Sequence, residues 1–165
     1  YALKEVEMID RSTRHQVERE VETYAHCGHD LVNIVKLFDV YYLEGRVCMV
    51  LELMNWGALD MLLQQQSNRG LEGMKEQELG AILCCVAQAL EFLHDRHHVV
   101  HRDLKPGNVM LHRNGAVKLS DFGASHMGAD SAHAGAGTMG YMSPEQLEGI
   151  VGGKKCDIWA LGIVG

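Results

Sequence analysis

His101-Arg102-Asp103-Leu104-Lys105-Pro106-Gly107-Asn108, followed after a short apolar run by Asp121-Phe122-Gly123, decides how this chain reads. Two carboxylates, an amide and an ammonium group are spaced around what reads as a hairpin. An Asp can accept a proton from an attacking hydroxyl or hold a cation through oxygen. An Asn adds a neutral oxygen ligand, and a Lys offsets charge on a migrating phosphoryl group. Val109-Met110-Leu111 and Ala116-Val117-Lys118-Leu119 read as short strands around a turn at Arg113-Asn114-Gly115. Such a hairpin returns Asn108 and Asp121 to one end, close enough to share metal ions.

With those residues in view, the chain resembles a protein kinase. His-Arg-Asp-x-x-x-x-Asn followed by Asp-Phe-Gly is the signature pair of that family in order and separation. The resemblance implies an α+β, bilobal protein-kinase-like fold, here truncated. Residues 1–54 would form part of the small lobe and the hinge, and residues 55–165 part of the large lobe with the catalytic loop and activation segment. It implies Mg²⁺ and ATP as cofactors, Asp103 as catalytic base, Lys105 against the γ-phosphate, and Asn108 and Asp121 as metal ligands.

Composition is compatible with this. The 165 residues suffice for one domain with a real core, and 47% apolar with 22% charged residues is a globular balance. A net charge of -7 argues against nucleic acid as main partner. The five Cys show no paired metal spacing and read as reduced core thiols of an intracellular protein. His94, His97, His98 and His101 cluster without a Cys or carboxylate spaced to complete a zinc site. No apolar run is long enough to span a bilayer, so a cytoplasmic location without membrane contact is expected. Both ends read as cuts within a larger domain.

Tyr1 to Ile9 alternates well enough for a strand, and Tyr1-Ala2-Leu3-Lys4 resembles the family's Val-Ala-Ile-Lys, whose Lys grips the α- and β-phosphates. That Lys requires a glutamate partner on the next helix. Val17, Val21 and Tyr24 form its apolar stripe, and Glu18, Glu20 and Glu22 compete for the role. Glu20 is flanked by the stripe and follows Arg19 as in the family pattern, so a Lys4–Glu20 ion pair is expected. Ile34 to Tyr42 and Arg46 to Glu52 read as strands joined at Glu44-Gly45. Leu51 then takes the gatekeeper position, and the extended backbone of Glu52 and Met54 would offer a donor and an acceptor to adenine. Ala2 above and Met110 below would sandwich the ring. Trp56 is expected to pack against the hinge.

Leu79, Ile82, Leu83, Val86, Leu90 and Leu93 mark the clearest amphipathic helix, which runs directly into the catalytic loop. Leu37, Tyr24, Phe122 and His101 fall where the family stacks an apolar column across the lobes, with Tyr24 replacing the more usual Leu. Asp157 falls where the family hydrogen-bonds the catalytic-loop backbone.

The activation segment ends in Gly137-Thr138-Met139-Gly140-Tyr141-Met142-Ser143-Pro144-Glu145, similar to the family's Gly-Thr…Ala-Pro-Glu with Ser143 for Ala. Tyr-Met-Ser-Pro-Glu with Tyr-Ala-Leu-Lys points to the mitogen-activated protein kinase kinases of the Ste group. These carry Ser-x-x-x-Ser/Thr as an acceptor pair. Ser131 fits the first position, but Ala134 and Gly135 leave the second without a hydroxyl. Single control through Ser131 or Thr138 follows, with Arg102 as the cation that would receive the phosphate. Gly135-Ala136-Gly137-Thr138-Met139-Gly140 also satisfies G-x-G-x-x-G, but neither the strand before it nor the helix after it that a dinucleotide site needs is legible.

The resemblance therefore implies transfer of the γ-phosphoryl of Mg·ATP to Ser/Thr hydroxyls, and to Tyr, of a protein substrate, a MAP kinase. An upstream activating kinase would be the other partner. The alternatives are a pseudokinase scaffold, against which Lys4, Asp103, Asn108 and Asp121 argue, and a nucleotide-binding oxidoreductase. The 165 residues alone are expected to be weakly active or inactive.

Overall fold

The computed structural model describes residues 1–27, 33–70, 73–127 and 137–165. It is an α+β arrangement. The strands β1 (Ala2–Glu7), β2 (Leu37–Leu43) and β3 (Arg46–Leu51) form an antiparallel sheet in the order β1-β3-β2. The β2–β3 connection is two residues long, and Glu44 and Gly45 both take positive φ, 48° and 82°. This is the twist that two-residue hairpins favour. Central β3 buries Cys48, Met49 and Leu51, whereas β1 alternates. Ala2, Lys4 and Val6 face inward, and Leu3, apolar but on the other parity, is exposed.

Across the inner face lies α1 (Arg11–Cys27), started by Asp10, whose Oδ1 accepts from the Thr13 amide at 2.7 Å. Its stripe buries Val17, Tyr24 and Cys27 and carries Glu20 in with them, while Glu18 and Glu22 stay exposed. The strand expected from Ile34 starts later, at Leu37. Ile34 instead bridges in parallel to Leu119, with Val35 N donating to Leu119 O at 2.9 Å and Leu119 N to Asn33 O at 2.8 Å. The apolar pair Ile34-Val35 is thus used to seam the first sheet's surroundings to the hairpin below.

After β4 (Gly57–Ala58) and α2 (Leu59–Asn68) comes α3 (Glu76–Glu91), continued by a π turn over Phe92–Arg96. Ile82, Val86, Leu90 and Leu93 are buried, and Leu79 and Leu83 half-buried, so the 3.6-residue stripe is the packed face. Each fully buried aliphatic side chain contributes roughly 1.5–3 kcal/mol. Cys84 lies off the stripe and is exposed, unlike Cys27, Cys48 and Cys156, which are buried thiols.

The π turn leads into β5 (Val99–Val100), which pairs with β8 (His126–Met127). Between them, β6 (Val109–Leu111) and β7 (Val117–Leu119) form the expected hairpin, with β4 alongside β6. Gly115 N donates to His112 O at 2.9 Å, and Gly115 has φ 89°. The chain closes with α4 (Pro144–Leu147), opened by a capping box between Ser143 and Gln146, and α5 (Lys154–Val164). No helix among the described residues is long and apolar enough to cross a membrane.

Candidate active site

Three segments far apart in sequence meet at one ammonium group. Lys4, on the inward face of β1, places Nζ 2.7 and 2.8 Å from the Glu20 carboxylate oxygens and 3.3 Å from Asp121 Oδ1. Burial alone would lower the Lys4 pKa, but Glu20 and Asp121 outweigh it and hold Lys4 above its usual value. Burial would likewise raise Asp121, yet Lys4 beside it leaves the carboxyl below the usual range. For Glu20 burial wins, pushing it up, with Lys4 pulling back in part. Lys4 is thus firmly cationic and Asp121 firmly anionic. Asp121 itself adopts φ 64°, a left-handed backbone that turns its carboxylate toward Lys4.

The second cluster is built on the loop between β5 and β6. Asp157, wholly buried on α5, accepts from His101 N and Arg102 N, both at 2.8 Å, and from His94 Nε2 at 2.7 Å. These bonds hold Arg102 at φ 67°. Beyond it, Asp103 faces a closed set of polar partners. Thr138 Oγ1 donates to Asp103 Oδ1 at 2.7 Å and accepts from Lys105 Nζ at 2.7 Å. Lys105 Nζ also lies 2.9 Å from Asp103 Oδ2. Asn108 Nδ2 donates to Asp103 O at 2.8 Å, which leaves its Oδ1 without a donor among the described residues.

His101 joins the two clusters. Its Nδ1 accepts from Asp103 N at 3.3 Å, and its Nε2 donates to Ser120 O at 3.2 Å, next to Asp121. Phe122 packs between His101 (ring centroids 5.2 Å apart) and Tyr24 (5.0 Å, edge-on), and Leu37 packs against the same core. The larger Tyr is accommodated through that edge-to-face contact.

A cavity of about 270 Å³ opens between the clusters. Ala2, Lys4, Glu20, Glu52, Met54, Met110, Asn108 and Asp121, each expected at the site, all line it, as does Leu51. Neither the Glu52 carbonyl nor the Met54 amide has a backbone partner among the described residues, so an acceptor and a donor stay open on that edge. Met54 O is used locally by Gly57 N at 3.0 Å. A larger apolar groove of about 420 Å³ lies elsewhere, against Trp56, Leu62 and Met74. None of the ion pairs above lines it, and Trp56 belongs to that groove instead of the cavity edge.

The donor set fits a hard divalent cation: Asp121 and Asn108 line the same cavity, and among the described residues no Cys or His lines it. Arg102 is 7% exposed, and its Nε has no hydrogen-bond partner among the described residues. Burial lowers its pKa, Cys156 and Asp157 counter that, and Arg19 adds like-charge repulsion. Ser131 lies outside the described residues. Thr138 is described, and its hydroxyl is committed to Asp103 and Lys105. Lys118, buried on β7, gives no signal in the sequence, where Ala116-Val117-Lys118-Leu119 reads only as a short strand. It pairs with Glu52 at 2.7 Å.

A family model described as protein kinase domain matches residues 1–165. Among curated relatives, a mitogen-activated protein kinase kinase 1c of Physcomitrium patens is 36% identical over 171 residues, covering 99% of this chain and 47% of the relative. The dual specificity mitogen-activated protein kinase kinase dSOR1 of Drosophila melanogaster is 34% identical over 156 residues, covering 94% of this chain and 38% of the relative. The chain thus spans less than half the length of these relatives.

Proposed function

The chain belongs to the protein kinase family, and on that premise we propose that the whole protein transfers the γ-phosphoryl group of Mg·ATP to hydroxyls of a MAP kinase. The single observation that carries the reading is Lys4 Nζ bonded at once to Glu20 and Asp121 on the wall of the cavity. One cation there is oriented by a buried carboxylate and aimed beside the candidate metal ligand, which suits a nucleotide polyphosphate.

Each residue then has a task. The open Glu52 carbonyl and Met54 amide take the adenine edge, with Ala2 above and Met110 below. Asn108 and Asp121 would hold Mg²⁺, which when bound neutralises phosphate charge during transfer. Asp103 orients the substrate hydroxyl and accepts its proton, and Lys105 stabilises the transferred group. Thr138 bridges the last two and acts as a positioning residue; a phosphate there would displace both bonds, which disfavours it as the acceptor. Regulation then rests on Ser131, modified by an upstream kinase, with Arg102, whose Nε has no partner among the described residues, receiving the phosphate. A cytoplasmic cascade is the setting this chemistry fits.

The test is phosphate transfer by the full-length protein to a catalytically dead MAP kinase. Incorporation on Thr and Tyr, abolished by Asp121→Ala, is expected. Mg·ATP binding without transfer would make the protein a scaffold, and binding of a nicotinamide dinucleotide in its place would remove the kinase reading. Mass spectrometry after activation should find phosphate on Ser131; none there would refute that part.

A further inference from the structure

The edge that offers a donor and an acceptor to the nucleotide is held differently at its two ends. After Met54, the chain is fixed by backbone bonds: Trp56 N donates to Leu111 O at 3.0 Å, and β4 pairs Gly57 with Leu111 and Ala58 with Met110. Before Met54, at Glu52, only one backbone bond remains among the described residues, from Glu52 N to Lys36 O at 2.8 Å. That bond ties Glu52 to the segment leading into β2, not to the hairpin beneath the cavity. The tie to the hairpin is a side-chain one. Glu52 Oε2 accepts from Lys118 Nζ at 2.7 Å and from Lys36 N at 3.2 Å.

Lys118 is suited to fix a position. It lies on β7 directly opposite Met110 on β6, and facing residues of an antiparallel pair project to the same side. It therefore rises beside the side chain that floors the cavity. Its side chain is only 9% exposed, against 27% for Glu52. A buried ammonium group needs its counter-charge, so Lys118 holds Glu52 wherever the hairpin places it. The neighbouring β7 residues are seamed to the segment before β2, through Asn33 Nδ2 to Val117 O at 3.2 Å and the Val35–Leu119 bonds. The strand on which Lys118 stands is thus hydrogen-bonded to that segment on both sides of it.

We infer that Lys118 is a positioning residue for the nucleotide: through the Glu52 carboxylate it fixes the height of the Glu52 carbonyl and the Met54 amide above Met110. The inference rests on the cavity being the nucleotide site proposed above. Lys118 touches neither the nucleotide nor the transferred group, so its loss acts on nucleotide affinity more than on the chemical step.

The experiment compares full-length wild-type protein with Lys118→Met, Lys118→Arg and Glu52→Gln, reading KM for ATP, kcat, and the thermal midpoint without nucleotide. Lys118→Met is expected to raise KM for ATP about 5- to 20-fold while kcat changes less than about 2-fold. Lys118→Arg, which keeps the charge, should restore most of the affinity. Glu52→Gln, which keeps an acceptor but loses the charge, should give an intermediate KM and carries the test if Lys118→Met does not fold. A fall in kcat at unchanged KM overturns the inference, as does a gain in activity, which would make the pair a restraint. Equal losses in Lys118→Met and Lys118→Arg, tracking only the thermal midpoint, also overturn it. A wild-type protein that neither binds ATP nor transfers phosphate fails the functional reading itself, and is told apart by needing no variant.

Discussion

The Thr138 hydroxyl donates to Asp103 Oδ1 at 2.7 Å, so a residue late in the chain completes the surroundings of the candidate base. Thr138 Oγ1 in turn accepts from Lys105 Nζ, which also pairs with Asp103 Oδ2, and the three groups form a closed triangle across the loop. Thr138→Ala should lower kcat by about 10- to 100-fold with little change in KM for ATP, because the base and the ammonium group lose their common spacer. Thr138→Ser keeps the hydroxyl and should retain most of the activity. Steady-state kinetics on both variants check this.

Lys4 and Glu20 are expected to act as a unit. Lys4→Met should cut phosphate transfer by at least about 100-fold, and Glu20→Gln by about 10- to 100-fold, since the amide still accepts one hydrogen bond from Lys4. The double variant should be scarcely worse than Lys4→Met alone. Rates for the three proteins under single-turnover conditions decide it.

Asp157 supports the catalytic loop from below. Asp157→Ala would strand two buried amides and the His94 ring, and is expected to cost about 3 kcal/mol of stability. Urea unfolding should show the loss as a lower midpoint at unchanged slope, and the left-handed turn at Arg102 should relax with it.

The Asp121 carboxyl lies below its ordinary value of 3.8 because Lys4 outweighs its burial. A depressed carboxyl contributes stability above its unfolded pKa and loses it as pH falls through the folded one. The wild type should therefore exceed Asp121→Asn in stability by a constant amount at neutral pH, with the gap narrowing only below about pH 3.8. Denaturation midpoints of both proteins from pH 7 to pH 2.5 test the sign.

Much of this arrangement is legible in the residues themselves, for physical reasons. The choice of Glu20 over Glu18 and Glu22 follows from its place beside Val17, Val21 and Tyr24, because a helix that buries one stripe carries the residue within it inward. The α3 stripe is equally plain. What stays hidden depends on contacts between distant segments. Ile34 and Val35 read as the start of a strand, but their bonding partner is Leu119, far along the chain. Lys118 reads only as part of a short strand, because nothing local announces Glu52 as its counter-charge. Thr138 reads as one of two alternative phosphate acceptors, and nothing local announces that Asp103 and Lys105 share its hydroxyl. Trp56 is expected against the hinge, and nothing in the sequence announces the groove that it lines with Leu62 and Met74.

The most direct test of the central claim is the initial rate of γ-phosphate transfer from Mg·ATP to a catalytically dead MAP kinase by the full-length protein and its Asp103→Asn variant. The account predicts clear transfer by the wild type and a fall of at least about 100-fold in Asp103→Asn, with KM for ATP unchanged. Equal rates in the two proteins, or no transfer by either while both bind Mg·ATP, would contradict it.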